Sequence, residues 1–290
     1  MKVKYTVKDF NEQFPNDDAC LQYLFGRRFP NGGTCMCGKS DCFHRMNTRK
    51  KFECAWCGHQ ISPTAGTIFH KSSTSLRTWF HALFIMTASR NGVSAMELMR
   101  QVGVTYKTAW RMNHQIRQLM TGEIPMFEGI VESDETYIGG KKHGKRGRGA
   151  DGKTIVAGIL TRGGGVDATV VPDCKAETLV PNIASKVVPG ATVFTDELNS
   201  YNSLKAEGFK HRRVRHSQGE YVRGKVHING MESFWAQFKR SVHGTFHHIS
   251  PQHTQKYLNE FSYRSNHREQ PEPMFCQLVA IAGEQRDAAV

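Results

Sequence analysis

No apolar run in the 290-residue chain approaches the roughly 18 residues needed for a membrane-spanning helix, which excludes a helical membrane protein. The first residues, MKVKYTVKDFNEQF, lack the apolar core of a secretion signal, so a soluble intracellular protein is expected. Acid is in short supply: 26 Asp+Glu face 39 Lys+Arg, a net charge of +13 at pH 7 with 14 His counted as neutral. Apolar residues are not scarce, and 39% hydrophobic with 10% aromatic content excludes a wholly disordered chain. The length suggests about two domains. A surplus of this size favours a polyanionic partner, most often nucleic acid, over charge that is merely solubilising.

The surplus is uneven. Residues 1–75 carry +5, residues 76–125 carry +4, residues 126–198 carry −1 and residues 199–290 carry +5. An acid-rich stretch between basic flanks points to carboxylates placed where phosphates are also wanted. A bound divalent cation reconciles the two.

Five of the eight cysteines, Cys35, Cys37, Cys42, Cys54 and Cys57, crowd into one short segment, while Cys20, Cys174 and Cys276 stand alone. Without a secretion signal, such clustering argues for a metal rather than disulfides. Cys54-Ala-Trp-Cys57-Gly58 is a C-x-x-C turn, and Cys35-Met-Cys37-Gly38 is a contracted version of it. Four thiolates give the closed tetrahedral site of one structural Zn²⁺. Cys37, Cys54 and Cys57 are expected ligands, with Cys35 as the fourth and Cys42 as the alternative to it. A ribbon this short has little core, so the metal would stabilise its fold directly.

Residues 76–90 are continuously helix-compatible, with Leu76, Trp79, Phe80, Leu83 and Phe84 at helical spacing, and Asn91-Gly92 ends them. Ser94 with Glu97 forms a capping-box pattern before AMELMRQV, Gly103 stops that helix, and Thr105 can cap a second one, YKTAWRMNHQIRQLM. Two helices joined by a short Gly-containing turn are the sequence form of a helix-turn-helix. Lys107, Thr108, Arg111, Asn113, His114 and Arg117 on the second helix are types suited to phosphates and base edges.

Met126 to Asp134 alternates with period two and reads as a strand ending in acids: Glu132, Asp134 and Glu135. Lys153–Leu160 and Gly165–Val171 read as a hairpin, Ala176–Val187 as a helix, and Ala191–Asp196 as a strand that again ends in an acid. That order is α/β layered, and ligand-handling residues project from strand ends in such sheets. Asp134 and Asp196 are therefore candidates to meet, although 61 residues lie between them. Glu232 falls in the first turn of a helix from about Met231, whose apolar face is Met231, Phe234, Trp235 and Phe238. Lys239 lies two turns on. Singly, each acid is commonly a turn cap or a dipole partner. Together, three carboxylates can hold two Mg²⁺ roughly 4 Å apart for in-line displacement at phosphorus.

The segments VESDETYIGGKKHG, TDELNSYNSL, HSQGEYVRGKVHINGMESFWAQFKRSVHGTFHHIS and YLNEFSYRSNHRE, with CGHQISPTAGTIFHKSSTSLRTWF upstream, carry a specific resemblance. From about residue 18 to about residue 270 the chain resembles the prokaryotic insertion-sequence transposases of the DDE type with an N-terminal zinc ribbon, the IS1595 group with an ISXO2-like transposase domain. The resemblance implies a multidomain α+β and α/β protein whose RNase H-like catalytic domain is a mixed sheet flanked by helices. It implies DNA cleavage and strand transfer with Mg²⁺ or Mn²⁺, two per active site. Asp134, Asp196 and Glu232 are then the metal-binding catalytic residues, and Lys239 a phosphate contact. The partners implied are double-stranded DNA, as element ends and target, and further copies of the chain, at least a dimer on DNA; the location implied is the prokaryotic cytoplasm, in association with the nucleoid. The alternatives are a DNA-binding regulator with an inactive or co-opted catalytic domain, and an RNase H-type nuclease without strand transfer.

The expected organisation is a helical segment over 1–30, a zinc ribbon over 31–70, a helix-turn-helix region over 71–122, the catalytic domain over 123–270 and a C-terminal tail over 271–290, frayed over 277–290. Lys141, Lys142, Lys145, Arg146 and Arg148 form a basic run suited to clamping phosphate. Residues 205–225 hold seven basic residues against two acids, with Arg212, Arg213 and Arg215 at their centre, and can track a DNA backbone. Tyr201, Tyr221 and Trp235 are of a type to stack on bases, although Trp235 fits the core better. His243, His247, His248 and His253 lack regular ligand spacing, interrupted as they are by Gly244 and Pro251.

Overall fold

The computed structural model describes residues 5–122, 124–139, 153–270 and 272–284. It divides into two units, Met1–Leu119 with Gln270–Val290, and Met120–Glu269.

In the first unit the capping residues mark where helices begin. Thr6 and Asp9 form a reciprocal box on α1 (Val7–Gln13), Asn16 caps α2 (Asp17–Arg28) and Ser75 caps α3 (Leu76–Ala88). Their inward faces meet in an aromatic cluster that includes Phe10, Phe14, Phe80 and Phe84. Between α2 and α3 lies a small antiparallel sheet in the order β1 (Phe43–Arg45), β2 (Phe52–Cys54), β3 (Gln60–Ile61). It is tied to α2 by Phe25, stacked on Phe52 with centroids 4.0 Å apart, and by Arg28, which donates to the carbonyls of Ser62, Pro63 and Ala65.

Helices α4 (Ala95–Val102) and α5 (Tyr106–Leu119) follow, joined by Gly103 in the left-handed region and by Thr105, which accepts from the Thr108 amide. Ser94 accepts from the Glu97 amide, but Glu97 turns outward to Gln101 and Arg100, so only half of the expected capping box forms.

The second unit is built on a five-stranded sheet. In chain order its strands are β4 (Ile130–Ile138), β5 (Thr154–Thr161), β6 (Val166–Val171), β7 (Thr192–Thr195) and β8 (Lys210–Arg213); in space they run β6-β5-β4-β7-β8. β4, β5 and β6 pair antiparallel, whereas β4–β7 and β7–β8 are parallel. Alternation sorts the sheet's residues onto two faces. Val131, Ile159 and Val193 pack with Leu179 and Ile183 of α6 (Ala176–Ala184). Ile138, Val156, Val166 and Ala168 pack with Met231, Phe234, Trp235 and Phe238 of α7 (Asn229–Ser241), and with Leu258 and Phe261 of α8 (Thr254–His267). Burying four large side chains of α7 contributes on the order of 6–12 kcal/mol before chain entropy is counted.

Three features differ from the sequence expectation. β4 starts later and runs further, so Asp134 is mid-strand rather than terminal, because the hairpin with β5 stays paired as far as Ile138 opposite Thr154. β8, KHRR, carries too much charge to read as a strand, yet it pairs along the sheet edge. The expected C-terminal tail contains α9 (Met274–Gly283), whose Phe275, Leu278, Val279 and Ala282 are buried in the first unit. No described helix is long and apolar enough to cross a membrane.

Gly158 lies opposite Asp134 in the hairpin register, and a Cβ there would stand 2.3 Å from Met231 Cε and 2.5 Å from Trp235. This glycine lets α7 close onto the sheet. Gly158→Ala is expected to destabilise the protein by about 1–3 kcal/mol, seen as a lower midpoint in thermal or urea unfolding, although the same change at an uncrowded strand position would be neutral or stabilising.

Candidate active site and metal centre

The ribbon brings four sulfurs together. The Sγ atoms of Cys35, Cys37, Cys54 and Cys57 all lie within 4.8 Å of one another. Cys35–Cys57 and Cys37–Cys54 are 3.5 and 3.8 Å apart. A tetrahedron with Zn–S bonds of about 2.3 Å has edges of about 3.8 Å, so the donor set fits Zn²⁺. Amides of the two turns close on the ligand residues: Gly38 donates to the Cys35 carbonyl and Gly58 to that of Cys54. Desolvation would raise the Cys54 thiol, but the amides of Cys57 and Trp56 hold it down to about 6. Cys42 lies outside the four. Its thiol donates to the Lys39 carbonyl and sits 3.4 Å from Cys54 Sγ. The geometry therefore takes Cys35 rather than Cys42.

In the second unit β7 ends at Thr195 while β4 continues to Ile138. Glu132 pairs with Phe194 across the parallel ladder, and Asp134 and Asp196 each lie two residues further along their chains. Asp196 is fixed by its own turn, its Oδ1 accepting from the Leu198 amide. Helix α7 packs on β4 and β5 and presents Glu232, half-exposed, from its first turn. The proximity has an electrostatic signature. Burial pushes the Asp134 carboxyl up to about 8, and Glu135, Asp196 and Glu232 each add to the shift. Lys239 is lowered by burial, with Asp134 opposing that shift. Asp196 and Glu232 are thus felt at Asp134, and Asp134 at Lys239.

Among the described residues only the cysteines bring three or more ligand atoms within 4.8 Å of one another, so the carboxylates are not drawn in to the shell of a single ion. Two cations roughly 4 Å apart need a wider span. Hard carboxylate oxygens, one of them with a strongly disfavoured charge, suit Mg²⁺ or Mn²⁺. The histidines at 243–253 form no comparable group.

The acids flanking Asp134 have different tasks. Glu132, 1% exposed, accepts from Arg162 Nε at 2.7 Å and from the Met231 amide at 3.1 Å. Glu135, on the opposite face, accepts from the Tyr201 hydroxyl at 2.9 Å and so anchors the turn that follows Asp196. His216 lies 3.8 Å from Glu232, and its neighbour Ser217 donates twice to Glu197, beside Asp196. None of these residues is read from sequence as a support of the site; Tyr201 is expected there to stack on bases instead. For Glu132 the available signal was its place two residues before Asp134, on the same buried strand face, where a charge requires a partner.

The expected DNA-contacting residues divide. Lys107 and Arg111 are exposed on α5 and Thr108 is partly so, with Tyr106 and Trp110 exposed beside them. Arg117 is a core residue: it is 1% exposed and reaches the Val93 carbonyl, as does Asn113. Arg212, Arg213 and Arg215 line a groove of about 690 Å³ with Lys205 and Arg223. His211, in the same groove, is held down to about 4 by burial and by Arg213 and Lys205, so it adds no charge at neutral pH. Tyr201 is fully buried and unable to stack on a base, Trp235 is core, and Tyr221 is exposed. Lys141, Lys142, Lys145, Arg146 and Arg148 lie outside the described residues.

A mixed sheet flanked by helices with carboxylates gathered at a central strand, in a chain that also carries a four-cysteine ribbon, defines a protein of the RNase H-like class. Residues 126–266 match the family model of the ISXO2-like transposase domain and residues 15–60 that of the transposase zinc-ribbon domain. The chain belongs to this transposase family. It is 29% identical over 275 residues to an uncharacterized protein in transposable element ISH50 of Halobacterium salinarum, covering 87% of this chain and 91% of that one. It is 36% identical over 104 residues to an uncharacterized transposase-like protein of Haemophilus influenzae, covering 36% of this chain and 83% of that one. Among solved structures, the pre-cleavage Mos1 transpososome overlaps 72% of this chain and 80% of its own at 12% identity and a TM-score of 0.29, too loose a likeness to carry weight.

Two outcomes follow from the geometry. Cys35→Ser should lower zinc content and stability, whereas Cys42→Ser should retain one zinc per chain by metal analysis. In Mg²⁺-free buffer Asp134→Asn should raise the melting temperature. Between the unfolded value near 3.9 and about 8 the folded chain holds a proton that the unfolded chain has lost, so the penalty grows as pH rises through that window. The gain over wild type is therefore expected to be larger at pH 9 than at pH 5.

Proposed function

We propose that the chain is a DNA transposase that binds the terminal inverted repeats of an insertion sequence, hydrolyses phosphodiester bonds at the element's 3′ ends and joins the freed 3′-OH to target DNA. The observation that carries this is the match of residues 126–266 to the ISXO2-like transposase domain, supported by a sheet register in which Asp134 and Asp196 each lie two residues beyond the paired Glu132 and Phe194 of adjacent strands. Mg²⁺ or Mn²⁺, two per site, would be held by Asp134, Asp196 and Glu232 and would supply activation of the attacking hydroxyl and stabilisation of the leaving oxygen.

The chain's own groups do the rest. Asp134 would serve as a ligand in its ionised form, because a neutral carboxyl is a poor ligand. Glu232, on a helix rather than the sheet, closes the constellation from the other side. Lys239 places a cation within range of Asp134 and is suited to a phosphate oxygen of the scissile strand. The groove around Arg212, Arg213 and Arg215 begins where β8 flanks the end of β7, and grips phosphates without reading sequence. In the first unit Lys107, Thr108 and Arg111 occupy the exposed face of the second helix of the helix-turn-helix, the position that reads base edges in that motif. Cutting and joining two element ends calls for at least two copies of the chain on DNA, in the cytoplasm and in association with the nucleoid.

Asp134→Ala or Glu232→Ala should reduce cleavage and joining by at least about a thousandfold while leaving end binding within a few-fold in mobility-shift assays, and Lys239→Ala should cost about 10²–10³-fold. Retained joining by either carboxylate variant would overturn the proposal. With wild type, pre-cut ends and a supercoiled plasmid test the joining step. Cleavage without joining would identify a nuclease, and end binding without either reaction would identify a regulator.

A further inference from the structure

We infer that Glu132 and Arg162 are positioning residues that hold the third carboxylate, Glu232, at its working distance from Asp134; the inference rests on the three-carboxylate active site proposed above. The first observation is an uncapped helix. The residue preceding α7, Ile228, makes no side-chain capping bond, so the first amides of α7 have no local acceptor. The acceptor comes instead from the sheet. Glu132 Oε2 takes the amide of Met231, the residue immediately before Glu232. A carboxylate at a helix N-terminus also interacts favourably with the helix dipole.

The second observation is the partner of that carboxylate. Arg162, the residue after β5, commits its whole guanidinium to this junction. Nε donates to Glu132 Oε1 at 2.7 Å, while the two terminal nitrogens donate to the carbonyls of Lys225 and His227 at 2.8 and 2.9 Å. Its face lies over the Phe194 ring at 4.9 Å. The segment that leads into α7 is thus fixed by two carbonyl contacts and the helix itself by one amide contact, all converging on Glu132. The third observation is Gly230. A Cβ there would stand 2.8 Å from Glu132 Oε2, so the Asn-Gly entry to α7 is shaped to admit the carboxylate.

The consequence is a short mechanical path. Asp134 and Glu132 are two residues apart on one face of β4, and Glu132 grips the residue adjoining Glu232. The separation of two carboxylates distant in sequence is set by one strand repeat and one hydrogen bond. A buried ion pair is a poor source of stability compared with apolar residues of the same volume. Precise placement of α7 gives the pair a purpose that stability does not.

The test uses the full-length, zinc-loaded protein with Mn²⁺ as the probe, its free concentration followed by electron paramagnetic resonance. Glu132→Gln loses one of the two acceptor contacts and the charge; Arg162→Lys keeps a cation but loses the fork to both carbonyls. Both are expected to raise the Mn²⁺ dissociation constant by about 10–100-fold with zinc content and end binding unchanged. Phe238→Leu, a core change in the same helix, is expected to lower the melting temperature without moving that constant. If Glu132→Gln does not fold, Arg162→Lys decides. Constants within twofold of wild type for the variants that fold, or an equal rise in Phe238→Leu, would overturn the inference. Asp134→Asn is the separate control: if it binds Mn²⁺ as well as wild type, the carboxylate site itself is wrong, whatever Glu132 does.

Discussion

Asp134 can ionise only against burial and against the charges of Glu135, Asp196 and Glu232, which together push its carboxyl up to about 8. The surrounding unit is arranged to hold these like charges close despite their repulsion. β4 pairs on both sides and leaves little freedom to move apart. Glu135 ties down the turn after Asp196 through Tyr201, and Glu132 ties down the start of α7 through Met231 and Arg162. A dication placed among these carboxylates would remove the repulsion that they share, which suits them to the cations proposed above.

The ribbon meets a similar constraint by different chemistry. Its three short strands enclose little apolar volume, and their shape depends on four thiols drawn to the spacing of a Zn²⁺ tetrahedron. Phe52 and the carbonyls of residues 62–65 then attach the ribbon to α2. The thiols suit an ion that would maintain a fold, and the carboxylates, as proposed, ions that would perform chemistry. The ligands follow that division: soft sulfur where the ion is permanent, hard oxygen where it must exchange and carry substrate.

The distribution of charge acquires a structural meaning. The +5 after residue 198 is concentrated in a groove built from β8 and the loops beside it, while the −1 of residues 126–198 marks the strands that bring the carboxylates together. Within the basic first 125 residues the charges are not equivalent. Lys107 and Arg111 face solvent, whereas Arg28 and Arg117 direct their donors to backbone carbonyls inside their own unit.

Much of this was legible in the residues. Period-two alternation located β4, the glycine-rich turn between two strand-like runs located the β5–β6 hairpin, a short apolar run located β7, helical spacing located the apolar face of α7, and the two cysteine turns announced the ribbon. β8 was not legible because an edge strand needs only backbone pairing and tolerates a row of cations. α9 was not legible as part of the first unit because a short apolar helix gives no sign of what it will pack against. By itself the sequence determined the donor types, their order along the chain and the local elements that carry them, since these depend on neighbouring residues alone. Only the tertiary structure decided that the thiol of Cys35 rather than that of Cys42 joins those of Cys37, Cys54 and Cys57, that Arg117 is core, and that Glu132 pairs with Arg162 and the start of α7. Each of those outcomes turns on partners brought from tens of residues away, and a side chain's role is set by what surrounds it in space.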